Sequence, residues 1–179
     1  MTPRGIKTIS RKVRAAVEEW AHECSAKIDI DLDNMRGACA VGSAMLHEIF
    51  WKHGIESTLH RGTYTVPNGK RWSPHCWVEV DDVLIDITAT QFDLKKKIIF
   101  IKKDDALAKG YKSQIRAGKP HNYLTHLKFW RAWGITQRPT HGRMKEIRKK
   151  VLKSIAIPAD KGSVAKRPLT KRGVKCPKS

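Results

Sequence analysis

A sulfur nucleophile, an imidazole and a carboxylate occur in the order Cys39, His75, Asp86. Cys39 follows Arg36-Gly37-Ala38 at the start of a segment with helical apolar spacing. A thiol placed there gains from the helix dipole and from unpaired backbone N–H groups, which lower its pKa. The same N–H groups can bind the oxyanion formed when a thiolate attacks a carbonyl. Gly37 permits close approach of a substrate. A lone cysteine is more often an ordinary core residue, so the weight falls on the pair downstream.

His75 and Asp86 lie in two β-patterned runs, residues 72–80 and 83–88, separated by Asp81-Asp82. A two-residue turn there pairs Val80 with Val83, Glu79 with Leu84 and Val78 with Ile85. Continued outward, it sets Trp77 against Asp86, Cys76 against Ile87 and His75 against Thr88. Alternation then places His75, Trp77, Asp86 and Thr88 on one face. His75 and Asp86 become diagonal neighbours, roughly 7 Å apart at the backbone; a three-residue loop would separate them onto opposite faces. Asp86 sits in the apolar run VLIDIT, where a carboxylate is costly without a partner. The pattern predicts that Asp86 orients His75 and that His75 serves Cys39 as base. A purely structural His–Asp pair is the competing reading.

The elements that must position these groups are two helices and a run of strands. Residues 6–28 carry Val13, Ala16, Val17, Trp20 and Ala21 at helical spacing, with Glu18, Glu19 and Glu23 on other faces. Residues 38–53 form a second helix. Val41, Ala44, Met45, Glu48 and Ile49 make one stripe and Leu46 and Phe50 an adjacent one, so burial is expected; Gly54 stops it. Residues 29–36 are polar and turn-like. Residues 57–66, 72–80, 83–88 and 97–102 read as strands, with a turn at 67–70. Helix, helix, then strands predicts an α+β fold with an antiparallel sheet. Beyond 103, residues 106–117 read as helical, 124–133 as aromatic and basic, and 144–157 as a basic amphipathic helix. From Pro158 the chain reads as a disordered tail. The expected organisation is a catalytic core over 1–103, a basic helical extension over 104–157 and a basic tail over 158–179.

The order of Gly37-Ala38-Cys39, then His75-Cys76-Trp77-Val78-Glu79-Val80, then Leu84-Ile85-Asp86-Ile87-Thr88 resembles the transglutaminase-like superfamily within the papain-like cysteine protease fold. The likeness covers about residues 35–92. The superfamily includes peptidases, protein cross-linking enzymes, deglycosylating amidases and leader peptidases. The resemblance therefore implies acyl transfer through a thioester, with a catalytic helix packed on a small antiparallel sheet. Two positions depart from the pattern. The residue between His and Trp is often small, and here it is Cys76, which the hairpin register turns to the opposite face as core. Papain-like enzymes use a Gln shortly before the Cys as an oxyanion donor. Here Asn34 stands five residues upstream; an Asx turn entering the helix is the other use for it. The Cys39 backbone N–H is the donor that needs no side chain. Trp77 and Gln91 are expected to line the substrate cleft, with Phe92 beside Gln91; a simple strand exit is the alternative for the latter two.

The remaining chemistry-bearing residues suggest less. His22, His47, His53 and His60, even with Cys24, have no metal-ligand spacing, so neither a metal nor a cofactor is expected. Cys24, Cys39, Cys76 and Cys176 show no C-x-x-C spacing and should be free thiols in a reducing compartment. No apolar run reaches the length of a membrane span, and the start MTPRGIKTIS lacks the apolar stretch of a secretory signal; a cytoplasmic location is expected. Trp72, Trp77, Trp130 and Trp133 suit packing better than base stacking.

The net charge of +19 is unevenly spread. Residues 1–94 hold 11 Lys+Arg against 13 Asp+Glu, whereas residues 95–179 hold 25 against 4. The whole basic excess lies in the second half and suggests a polyanionic partner: nucleic acid, an anionic membrane surface or an acidic protein substrate. No DNA- or RNA-reading motif is present. The function expected is a thiol-dependent amide hydrolase or acyl transferase acting on a protein or peptide. The alternative is a basic nucleic-acid-binding protein on an inactive scaffold of the same kind.

Overall fold

In a computed structural model, the protein is described over residues 2–24, 31, 33–92, 96–118, 149 and 153. Helix α1 spans Pro3–Cys24 and helix α2 Cys39–Lys52. Strands follow as β1 (Thr58–Thr65), β2 (Arg71–Val80), β3 (Val83–Asp86), β4 (Ile99–Lys102) and β5 (Tyr111–Ala117). Single 3-10 turns occupy Ala89–Phe92 and Ala106–Gly110. The strands form one antiparallel sheet in the order β4-β3-β2-β1-β5. The protein is thus α+β, as the element order predicts.

Helix α2 packs on β1 and β2, and α1 packs against α2. Thr2 caps α1 through Gly5 N–H, and Pro3 stands at its first turn, where its missing N–H is harmless. Ile9, Val13, Val17, Trp20 and Ala21 bury one stripe of α1. Helix α2 is buried from Ala40 through His47 and again at Ile49 and Phe50. Each such aliphatic side chain contributes roughly 1.5–3 kcal/mol on leaving water. Helix α2 ends where Gly54, with φ 69°, lets Ile55 N–H return to Phe50 O.

The sheet has an apolar cluster on each face. Leu59, Cys76, Val78, Val80, Ile85 and Ile87 meet the helices. Tyr64, Trp77, Leu84, Phe92, Ile99 and Tyr111 cluster on the other side. The two-residue turn at Asp81-Asp82 sets Val80 against Val83, Glu79 against Leu84 and Val78 against Ile85.

Two expectations change. The run 83–88 is not strand throughout: β3 stops at Asp86, because the Asp86 carboxylate accepts Thr88 N–H and turns the chain away. Residues 106–117 are not one helix. After the 3-10 turn, Tyr111, Ser113, Ile115 and Ala117 alternate with exposed Lys112, Gln114 and Arg116, and this period-two run pairs with β1 as an edge strand. The sheet therefore continues past residue 103 to Ala117. Most of the region 119–179, including the segments 124–133 and 158–179, lies outside the described residues. Of the stretch 144–157, Lys149 and Lys153 are described, both helical and exposed.

Candidate active site

The loop ahead of α2 fixes where the thiol emerges. Met35 and Gly37 both take positive φ, 63° and 92°, which bends the chain sharply into Ala38. Asn34 holds this bend. Its Nδ2 donates to Asp31 Oδ2 at 2.7 Å and its Oδ1 accepts Arg36 N–H at 2.9 Å. Both ends of the amide are thus engaged inside the loop, and Asn34 forms an Asx turn. Cys39 opens α2 and is partly exposed. The N–H groups of Cys39, Ala40 and Val41 have no helix carbonyl four residues back, and Gly42 N–H is the first to find one, at Ala38 O. Cys39 therefore sits among unpaired donors at the positive end of a 14-residue helix.

The first turn of α2 rests on the end of the β2–β3 hairpin. A Cβ on Gly42 would come within 3.3 Å of Ile87 Cδ1 and 3.5 Å of Thr88 Cγ2. Ser43, one turn beyond Cys39, donates to Cys76 O at 2.9 Å.

His75 is fully buried, and its Nε2 lies 2.7 Å from Asp86 Oδ2. Asp86 is equally buried and makes three further bonds. Its Oδ1 accepts Thr88 N–H at 2.8 Å and Thr88 Oγ1 at 3.1 Å, and its Oδ2 accepts Tyr111 Oη at 2.9 Å. Burial would push the Asp86 pKa up; the charge and hydrogen bond of His75, with those from Thr88 and Tyr111, hold it below the usual value. Tyr111 moves the opposite way, raised by burial and by Asp86, and so remains a protonated donor. The His75 ring is walled by Trp77, stacked at 6.1 Å and 20°, and by Phe92, edge-on at 4.7 Å. Trp77 in turn stacks on His60 at 5.4 Å, and His60 pairs with Glu79 at 3.0 Å. At 1 % exposure Trp77 cannot line a cleft; it supports His75 from behind.

With Nε2 committed to Asp86, Nδ1 is the nitrogen that Cys39 and Gln91 must share. Burial opposes the imidazolium, yet the Asp86 charge and hydrogen bond, and those of Cys39, raise the His75 pKa to about 9. The Cys39 thiol falls well below its ordinary value. A hydrogen bond from Cys76 is the largest cause; burial works against it, and the hydrogen bond and charge of His75 add to it. Cys76 shifts up, through burial first and then through its bond to Cys39. Cys76 is core on the helix face, and it also acts on the nucleophile by lowering its pKa. The chemistry available is a thiolate–imidazolium pair with a carboxylate behind it.

Gln91 is buried beside the ring. Its Nε2 lies 3.2 Å from His75 Nδ1 and 3.0 Å from Thr88 O. That amide donor suits Nδ1 only when the ring is neutral, so ion-pair formation requires the amide to turn. Gln91 therefore contacts the base directly. Two contributors escape the sequence pattern. Tyr111 lies in a segment whose charges mask its alternation. Arg14, buried in α1, donates to Ile87 O at 2.5 Å and Thr90 Oγ1 at 3.2 Å, while Thr90 donates to Asn34 O at 2.8 Å. Arg14 thus ties the turn carrying Thr88 to the loop carrying Asn34.

Among the described residues, no group of three or more His, Cys, Asp or Glu side chains forms a metal-binding cluster, and no helix is long and apolar enough to cross a membrane. No protein-family model, characterised protein or solved structure matches this chain.

Proposed function

We propose that the protein is a thiol-dependent amide hydrolase or acyl transferase on a transglutaminase-like, papain-like scaffold, with Cys39 as nucleophile, His75 as base and acid, and Asp86 as orienter. The observation that carries this reading is the chain of contacts from Cys39 through His75 to Asp86. It makes the thiol more acidic and the imidazole more basic, which favours the thiolate–imidazolium pair.

In the proposed reaction the Cys39 thiolate attacks an amide carbonyl. The N–H groups at the start of α2 hold the tetrahedral oxyanion. His75 gives its Nδ1 proton to the departing amine, and a thioester remains on Cys39. Water or a second amine, deprotonated by His75, then releases the acyl group. Asp86 keeps the ring in one orientation and stabilises its charged form. The substrate is a protein or peptide, and the free thiols suit a reducing, cytoplasmic setting.

Labelling the full chain with a neutral thiol electrophile at pH 7, followed by peptide mapping, tests the reading. Modification should concentrate on Cys39 and drop sharply in His75→Ala. Equal labelling of all four cysteines would count against an enzyme. A second reading rests on the charge distribution, with 25 basic against 4 acidic residues after position 94. It makes the chain a nucleic-acid-binding protein on an inactive scaffold. Duplex binding that collapses with salt and survives Cys39→Ala would support it.

A further inference from the structure

We infer that the surface beside Cys39 takes an acyl donor bearing a carboxylate close to the scissile amide, gripped by Arg36 and Lys70 on a frame formed by Trp72. The inference rests on Cys39 being the nucleophile. It adds the substrate class: an acidic peptide.

Two exposed cations converge on one half-buried indole. The Arg36 guanidinium lies 5.6 Å from the Trp72 ring centre and Lys70 Nζ lies 4.6 Å from it. Exposed Arg71 is next in the chain, at the start of β2. Like charges gathered in this way repel one another, and none of the three forms an ion pair among the described residues. The Asp31 carboxylate, on the same loop as Arg36, is taken by Asp33 N–H and Asn34 Nδ2. The cation–π contacts hold both charges in place without neutralising them. The edge N–H groups of a guanidinium so held match a carboxylate.

The cluster also adjoins the reacting groups. Trp72 packs on Phe92 at 5.6 Å, and Phe92 packs edge-on against His75 at 4.7 Å. One ring therefore separates the cationic frame from the base. Arg36 precedes Cys39 by three residues, across the sharp bend at Gly37. A carboxylate held by Arg36 would thus lie on the side of the scissile bond that faces this loop. Cations on an aromatic ring also suit single-stranded nucleic acid; an acidic peptide is favoured here because the cluster adjoins the proposed amide-attacking thiol.

The test needs no known substrate. Iodoacetate and iodoacetamide alkylate the same thiol and differ in one negative charge. Their rate ratio at Cys39 in the full chain, read by peptide mapping at low salt, should exceed that of N-acetylcysteine. In R36Q/K70Q the ratio should fall about three- to fivefold, the size expected for exposed charge contacts; it cancels any general change in thiol reactivity. K70Q/R71Q, at an exposed turn, should lower the ratio without disturbing the loop before Cys39. A glutamate-rich hexapeptide should also slow iodoacetamide labelling of Cys39, whereas a lysine-rich one should not. An unchanged ratio in both variants, or protection by a single-stranded oligonucleotide but not by the acidic peptide, overturns this inference alone. Labelling by neither reagent selective for Cys39 overturns the nucleophile and this inference together.

Discussion

Tyr111 Oη donates to Asp86 Oδ2 at 2.9 Å, the same oxygen that lies 2.7 Å from His75 Nε2. The last strand of the sheet thus reaches the carboxylate that holds the imidazole. A buried carboxylate needs several donors to stay charged, and Tyr111 is one of four that Asp86 has.

Tyr111→Phe keeps the ring packing and removes this donor. Hydrogen bonds to charged groups contribute about 1.5–3 kcal/mol, and a loss of that size is expected in denaturant unfolding. The rate of Cys39 alkylation at pH 7 should fall as well, though less than in Asp86→Ala. A Phe variant as stable as the wild type would show that the bond carries no energy.

The thiol and the imidazole give a pH signature with a definite sign. Cys39 is shifted down and His75 up to about 9. Between those two values the pair is thiolate–imidazolium. Alkylation of Cys39 should therefore hold its rate to a pH well below the ordinary thiol range before it falls. Turnover, which needs the His75 proton, should decline as pH rises through about 9. In His75→Ala the thiolate loses its counter-charge, and the alkylation midpoint should climb toward the ordinary thiol value. The pH 7 rate then drops about tenfold for each unit the midpoint stands above 7. An unchanged midpoint would separate His75 from the thiol.

Cys76 makes a related prediction. As a hydrogen-bond donor it lowers the Cys39 pKa, and its own pKa is raised by burial and by that neighbour. Cys76→Ala removes the donor and should move the Cys39 alkylation midpoint up, while Cys76→Ser, which keeps a donor, should largely restore it. If serine and alanine behave alike, Cys76 is packing and nothing more.

Much of this site could be read before any coordinates, because it depends on local rules. Alternation on either side of Asp81-Asp82 brings His75 and Asp86 to one face, and the observed register agrees from Val80 against Val83 to Val78 against Ile85. The helix start at Cys39 followed from apolar spacing after a glycine. What stayed hidden depends on long-range contact. The bond between Tyr111 and Asp86 spans 25 residues, and that between Arg14 and Ile87 spans 73. The Cys76 side chain obeys alternation and faces the helices. Only the packing of α2 onto the hairpin end puts Cys39 beside it. The turn role of Asn34 depends on its partner Asp31, which alternation and helical spacing do not bring to it.

Arg14 offers the sharpest test of whether scaffold and chemistry are coupled. Its side chain is nearly buried, and besides Ile87 O and Thr90 Oγ1 it pairs with Glu18 at 2.9 Å. Arg14→Met preserves much of the volume but leaves the Ile87 carbonyl without its donor, at a cost of about 1–3 kcal/mol. The turn it anchors carries Thr88, which bonds Asp86, and Thr90, which bonds the Asn34 carbonyl ahead of Cys39. Loosening that turn should disturb both ends of the thiol–imidazole–carboxylate chain. Arg14→Met should therefore lose selectivity for Cys39 labelling under conditions where it is still folded. Stability lost with selectivity intact would assign Arg14 to the core alone. Selectivity lost at full stability would mean that the clamp acts on geometry without contributing to the fold.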